Sequence, residues 1–275
     1  MTKIIVFGAG GLLGSHFCAL YKDLVVPVTH EECDITNPIQ VWKVLDDNRD
    51  ADFVLNCAGI VPKAESDIFH MFEVNSHAPH YMAEACDDLF IRMIHVSTDC
   101  VYSGTIGNYD EVMVPRPTAY YGMSKLLGEV TRNNHLTIRT SFVGYPDPTR
   151  RGLLSWFVEE MEKGNTVSGW TNVFWNGLTT IELSYQIMNL IEECGVLEGF
   201  GQNLLHVHGQ RLSKYDLLKT FARMYGYDES RIIPADEPKS DKTLKSIIGD
   251  FEQTPKTFET MLEEMKEKLC QFQLA

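Results

Sequence analysis

Short apolar runs alternate with longer amphipathic stretches through the first half of the chain. Lys3-Ile4-Ile5-Val6-Phe7 opens the series. Leu24-Val25-Val26-Pro27-Val28, Asp52-Phe53-Val54-Leu55-Asn56, Ile91-Arg92-Met93-Ile94-His95-Val96 and Leu136-Thr137-Ile138-Arg139-Thr140 continue it. Runs this short and this apolar read as strands buried on both faces, and the stretches between them as crossover helices. Helices are predicted directly after Gly14, after Thr36 or Asn37 as N-cap with Pro38 in the first turn, over residues 66 to 88, and around Tyr121. Residues 103 to 119, rich in Gly, Pro and polar groups, form the loop before the last of these. The pattern predicts an α/β fold with a doubly wound parallel sheet.

Beyond residue 144 the alternation weakens. Pro146 and Pro148 mark a loop, Leu153 to Lys163 reads as a helix, and Thr166 to Trp175 is aromatic and strand-like. Thr179 to Glu193 resembles a helix, Asn203 to Val207 adds a strand to the main sheet, and Ser213 with Asp216 begins another helix. A last helix is expected near Lys256 to Phe272. The expected organisation is a domain over 1–145, completed by segments near 178–209. A smaller, interleaved part over 146–177 and 210–275 closes over it.

Composition narrows the function. The 275-residue chain carries a net charge of −14, with no basic run or aromatic-basic stripe. Nucleic acid and anionic membrane are therefore not expected partners. No apolar run is long enough to span a membrane, and the N-terminus reads as a strand and not a signal peptide, so a cytoplasmic protein is expected. Seven scattered cysteines without a CxxC read as reduced, mostly buried thiols. His77 and His80 have no Cys or acidic ligand to complete a metal site, and none is expected.

Two motifs carry chemistry. Gly8-Ala9-Gly10-Gly11-Leu12-Leu13-Gly14 follows the first strand and opens a helix, reading GxxGxxG. A glycine turn at a helix N-terminus aims backbone N–H groups and the positive dipole end at an anion, which suits a dinucleotide pyrophosphate in a Rossmann-type sheet. The second is Tyr121-Gly122-Met123-Ser124-Lys125. Tyr121 and Lys125 stand at i and i+4 on one helix face. An ammonium near a phenol favours the phenolate, and Thr98, at the end of the fourth strand, is placed to orient a carbonyl. Together they form a proton donor, its tuner and a carbonyl anchor for ketone reduction.

Read in order, these residues resemble the extended short-chain dehydrogenase/reductases, and within them the dTDP-4-dehydrorhamnose reductases and related sugar-nucleotide enzymes. The marks are the GxxGxxG turn, Cys33-Asp34-Ile35-Thr36, Asn56-Cys57-Ala58-Gly59, Lys63-Ala64-Glu65, Val74-Asn75, Ser97-Thr98-Asp99, Tyr121 to Lys125 and Arg139-Thr140-Ser141-Phe142. The resemblance implies NADPH or NADH as cofactor and a nucleotide-linked 4-keto-6-deoxy sugar as substrate; a homodimer is allowed. It implies a pyrophosphate on the backbone of Gly8, Gly11, Leu12, Leu13 and Gly14, adenine beside Asp34 and Ile35, and nicotinamide beside Cys57, Ala58 and Gly59. Tyr121 would donate the proton and Lys125 hold the nicotinamide ribose, with Thr98, Asp99, Phe142, Asn176 and Lys242 toward the substrate. Asn75 reads as a structural hydrogen-bonder. The chain departs from the family at Thr171 to Thr180 and at Lys242-Thr243, where the family has a Gly-Ala-Pro-Thr-like return and an Arg-Pro pair.

Two other readings stay open. One is an epimerase or dehydratase of the same superfamily, disfavoured for a dehydratase because Asp99 is followed by Cys100 where an Asp-Glu pair is expected. The other is a non-catalytic regulatory subunit with this fold, disfavoured because Thr98, Tyr121 and Lys125 are all present. For the cofactor, Glu31 and Glu32 oppose a 2′-phosphate while Thr29 and His30 can hydrogen-bond one. Both cofactors are expected to work, NADPH modestly ahead.

Overall fold

The structure is a computed structural model that describes residues 2–61, 67–132, 134–145, 152–194, 203–248 and 253–273. The Lys63-Ala64-Glu65 motif lies outside the described residues. The chain divides into two compact units: residues 1–102, 114–139 and 187–206, and residues 103–113, 140–186 and 207–275. Relative to the expected boundaries, residues 103–113, 140–145, 178–186 and 207–209 fall with the second unit.

The first unit is built on strands β1 (Ile4–Phe7), β2 (Val25–Val28), β3 (Phe53–Asn56), β4 (Arg92–Val96) and β5 (Leu136–Arg139). With Leu204–His206 they form a six-stranded sheet, in the order Leu204–His206, β5, β4, β3, β1, β2. Every pairing in it is parallel. The whole of β1, β3 and β5 is buried, which is why these segments read as continuous apolar runs. Helices α1 (Leu12–Leu20), α2 (Pro38–Asp47), α3 (Ile68–Phe72), α4 (Ala78–Asp88) and α5 (Tyr120–Leu127) belong to the same unit. On one face Val41 and Leu45 of α2 and Ala78, Met82 and Cys86 of α4 pack on Ile5, Val54 and Met93 of the sheet. Asn37 caps α2, accepting from Ile39 N–H and Gln40 N–H, with Pro38 at the helix start.

The long helix expected over 66 to 88 is interrupted. A π-helical turn, Glu73–His77, separates α3 from α4. Pro79 has no N–H to donate to the Asn75 carbonyl four residues back, and Ala78 N–H bonds to Glu73 O, five back. The wider turn is buried at Val74, Asn75 and Ser76, and it packs against α5. Ser76 Oγ donates to Ser124 O at 2.9 Å. A Cβ at Gly128 would strike the Asn75 carbonyl, so the closest approach of these segments requires glycine.

The second unit holds smaller sheets. Val173–Trp175 pairs antiparallel with Leu212–Ser213 and parallel with Ser240–Asp241. Val167–Trp170 pairs with Ile232–Ala235, and Phe142–Val143 with Leu178–Thr179. The strand-like stretch Thr166 to Trp175 is thus two strands, turned at Thr171-Asn172 and joined to different sheets. Helices Gly152–Glu162, Lys214–Tyr225 and Phe258–Gln273 complete the unit, while Thr180–Cys194 runs from it into the first. Ser213 Oγ accepts from Asp216 N–H at 3.0 Å and donates to the Asp216 carboxylate at 2.6 Å, as its spacing predicts. Phe157, Phe221, Phe258 and Trp175 stack as an aromatic core. Among the described residues no helix is long and apolar enough to cross a membrane.

Candidate active site

The glycine turn takes the shape its sequence predicts. Gly8 has φ +77°, and a Cβ there would lie 2.7 Å from Ala58 N, so the end of β1 passes against the end of β3. A Cβ at Gly14 would collide with the Gly8 carbonyl. Gly11 is the N-cap of α1 and no side chain caps that helix. The N–H groups of its first turn, Leu12 to Gly14, have no intrahelical acceptor and point out of the helix start. This is a cradle for an anion, and the residues present fit a dinucleotide pyrophosphate.

Asp34 is held by its neighbours. Its carboxylate accepts from Thr36 N–H at 3.0 Å and Thr36 Oγ at 2.7 Å, and these bonds pull its pKa below the ordinary value. At the end of β2, Glu32 folds back to accept from Thr29 N–H at 2.7 Å and Thr29 Oγ at 2.9 Å. Thr29 lies beside the glycine turn, its methyl 3.9 Å from where a Gly10 Cβ would stand.

The reactive cluster sits at the carboxyl ends of β3 and β4 and on α5. Thr98 and Asp99 are buried, and the Thr98 hydroxyl is close enough to the Tyr121 phenol to act on its proton. Thr98 Oγ1 also accepts from Cys100 N–H at 3.1 Å and donates to Asp99 Oδ1 at 3.2 Å. Burial, then the Cys100 thiol, pushes the Tyr121 phenol up, with Asp99 adding to the rise and the Thr98 hydroxyl opposing it. The ammonium expected to lower it is not among these causes. Lys125 is only 4 % exposed. Burial lowers its amine from 10.5 to about 8, against the opposing charges of Glu129 and Cys57. Gly59 lies over it: a Cβ there would stand 3.8 Å from Lys125 Nζ and 3.3 Å from Asn75 Oδ1. The structure therefore sets Thr98 and Asp99 against Tyr121, and Gly59 against Lys125 one turn further along α5.

Asn75 serves the framework. Its Oδ1 accepts from Ile60 N–H at 2.8 Å, and its Nδ2 donates to Ile60 O at 2.9 Å and Ser124 Oγ at 3.1 Å. Cys57 behaves as a packing residue, its thiol pushed up by burial. Phe142, Asn176 and Lys242 belong to the second unit. Asn176 is a clip: its Nδ2 donates to Leu244 O at 2.7 Å and its Oδ1 accepts from Leu244 N–H at 3.0 Å. Phe142 is half-buried in its short strand, and the aliphatic stem of Lys242 runs past Gly104.

Sequence reasoning missed two groups in the first unit. Glu129 and Arg139 form a buried bidentate pair at 2.8 and 2.7 Å, with Ser97 Oγ donating to Glu129 at 2.7 Å and Arg139 Nη1 to Tyr102 OH at 2.7 Å. His95, fully buried in β4, stands 3.4 Å from Lys125 Nζ. A single ionisable residue near the carboxyl end of an apolar strand was the available signal for it.

Comparison with known proteins agrees with this geometry. The family described as RmlD substrate binding domain matches residues 1–272. A dTDP-4-keto-6-deoxy-D-glucose reductase of Streptomyces niveus is 30% identical over 247 residues, 84% of this chain and 81% of that protein. A dTDP-4-dehydrorhamnose reductase of Mycobacterium tuberculosis is 36% identical over 138 residues, 46% of this chain and 44% of that protein. The match thus spans less than half of that second relative's length. In structure, a Bacillus anthracis dTDP-4-dehydrorhamnose reductase in complex with NADP superposes with a TM-score of 0.83 at 22% identity, over 98% of this chain and 99% of that one. The match over residues 1–272 shows that the chain belongs to the RmlD substrate-binding domain family.

Proposed function

We propose that the protein is an NAD(P)H-dependent reductase of the 4-keto group of a nucleotide-linked 6-deoxy sugar. The observation that carries the reading is the buried Thr98 set beside the Tyr121 phenol, with the buried Lys125 one turn further along the helix that carries Tyr121. A bound nicotinamide cofactor supplies the hydride. The chain's own residues do the rest. Thr98 and Tyr121 present two hydroxyls to one carbonyl oxygen, and Tyr121 gives its proton as charge develops there. A phenol pushed up by burial stays protonated at neutral pH and is ready as an acid. Lys125, buried beside Gly59, holds the nicotinamide ribose. Family relatives named as dTDP-4-keto sugar reductases support the substrate class.

A screen of purified protein against dTDP- and UDP-linked 4-keto-6-deoxyhexoses, following NAD(P)H absorbance, tests this. Cofactor oxidation with at least one of them is expected. Cofactor binding without turnover across the panel would transfer the assignment to the regulatory reading.

A further inference from the structure

Lys125 is served by a buried chain of side chains to which the family resemblance gives no role. Asn56 at the end of β3 and His95 in β4 are both fully buried. Asn56 Nδ2 lies 3.1 Å from His95 Nδ1, and His95 Nε2 lies 3.4 Å from Lys125 Nζ. The Asn56 amide has one allowed orientation, because Ala58 N–H, which can only donate, is 3.1 Å from its Oδ1. The NH₂ end therefore faces the imidazole, and His95 Nδ1 must accept. The single proton of a neutral imidazole is then on Nε2, facing Lys125. An ammonium has only donors, so this contact is satisfied when Lys125 is the free amine and opposed when it is charged.

We infer that Asn56 fixes the tautomer of His95, and that His95 thereby weakens the hold of Lys125 on its proton. His95 is a positioning residue: it acts on the reacting groups through Lys125. The inference rests on the reading of Lys125 as the working lysine, but its geometry does not depend on the substrate. Burial, with the charges of Lys125 and His80 on α4, keeps His95 neutral. The groups facing Lys125 are Glu129 just past the end of its helix, Cys57 after β3 with Cys18 of α1 behind it, and His95 on β4. Of these, Glu129 and Cys57 strengthen the ammonium, so among them His95 is the one that opposes it. A lysine poised in this way exchanges its charge within the working pH range, and the charge it offers the cofactor becomes pH-dependent.

Two measurements test this. Long-range ¹H–¹⁵N spectra of histidine-labelled protein at pH 7 report the tautomer of His95 with no substrate present. The Nε2–H form is expected; an Nδ1–H form or an imidazolium overturns the inference. The second is the alkaline limb of the pH profile, read both as kcat/KM and as the Kd of NADPH by fluorescence. Asn56→Asp offers only an acceptor, and Asn56→Ser a hydroxyl that accepts as readily as it donates. Each therefore removes the obligatory donor, lets the proton move to Nδ1 and Nε2 accept from the ammonium, and should raise the limb, by about one pH unit in Asn56→Asp. An unmoved limb in both variants, each folded by its thermal melt, overturns the inference. So does a shift in Asn56→Asp alone, which would be the work of the added negative charge. Absence of turnover by the unmodified protein on every keto sugar would remove the functional reading, and the tautomer and NADPH titrations would still decide this one.

Discussion

Replacing Lys125 with methionine should stabilise the fold near neutral pH while disabling the site. Lys125 is almost completely buried. Its amine is lowered from 10.5 to about 8, with burial as the leading cause. That difference corresponds to roughly 3 kcal/mol of folding free energy. The group loses protons more readily when folded than when unfolded, so the sign is fixed. Below pH 8 both states are charged and the folded state carries the full penalty. As pH rises from 8 to 10.5 the folded lysine is neutral while the unfolded one is still charged, and the penalty fades. Methionine keeps most of the apolar stem and removes the charge. At pH 7 the ammonium offers His95 Nε2–H no acceptor, so removing it leaves that group no worse satisfied. The diagnostic quantity is the difference between the two proteins, measured by denaturant melts from pH 7 to 10.5. It should shift against the variant by about 3 kcal/mol over that range, with every other titrating group common to both. NADPH affinity and turnover should fall at all pH values. A stability difference that does not change with pH would refute the buried-charge argument.

Further outcomes follow from other sites. Tyr121→Phe keeps the ring but removes the proton donor, so kcat should drop by a factor of about 10² to 10⁴, with NADPH affinity, by fluorescence titration, changed far less. Gly8→Ala places a side chain at φ +77° and against Ala58 N; the strain alone costs about 1–2 kcal/mol, and calorimetry should show a lower Tm together with weaker NADPH binding. Glu129→Gln unpairs one side of a salt bridge whose partners are 4 % and 5 % exposed, and a loss on the order of 3 kcal/mol in urea melts is expected. Glu32→Gln removes the charge now folded onto Thr29 and should raise kcat/KM for NADPH relative to NADH; a shift the other way would show that Glu32 does not face the 2′-position.

The sheet was legible because β1, β3, β4 and β5 are buried in a parallel array, where both faces are apolar and the strand reads as a run. The glycine turn, the Asn37-Pro38 helix start and the Ser213–Asp216 cap were legible because each depends on residues within a few positions of one another. What could not be read depends on distant partners. The π turn at Glu73–His77 is set by Pro79 together with the fit of Gly128 against Asn75. Asn176 looks like a ligand group in sequence, and only the fold shows it clipped to Leu244, 68 residues away. The Thr166 to Trp175 stretch reads as one strand because the choice of pairing partner is made at Leu212, Ile232 and Ser240.

The same division explains the site. Tyr121 and Lys125 declare themselves by helical spacing, but what each does electrostatically is decided across the sheet. Lys125 was expected from its charge to lower the Tyr121 phenol, yet the groups that set that phenol are Cys100, Thr98 and Asp99 at the end of β4. Lys125 in turn answers to Glu129 just past the end of α5 and to Cys57 and His95 on neighbouring strand ends. Each of these groups lies near the carboxyl end of a parallel strand or on the helix covering it, where side chains from non-adjacent segments meet out of water. In that setting a polar side chain must find a partner inside the protein. The partner Asn56 finds is His95, and the partner His95 finds is the lysine. Burial alone would lower Lys125 wherever it sat; the amide of Asn56, turned by Ala58 N–H, decides whether the His95 nitrogen that the lysine meets carries a proton.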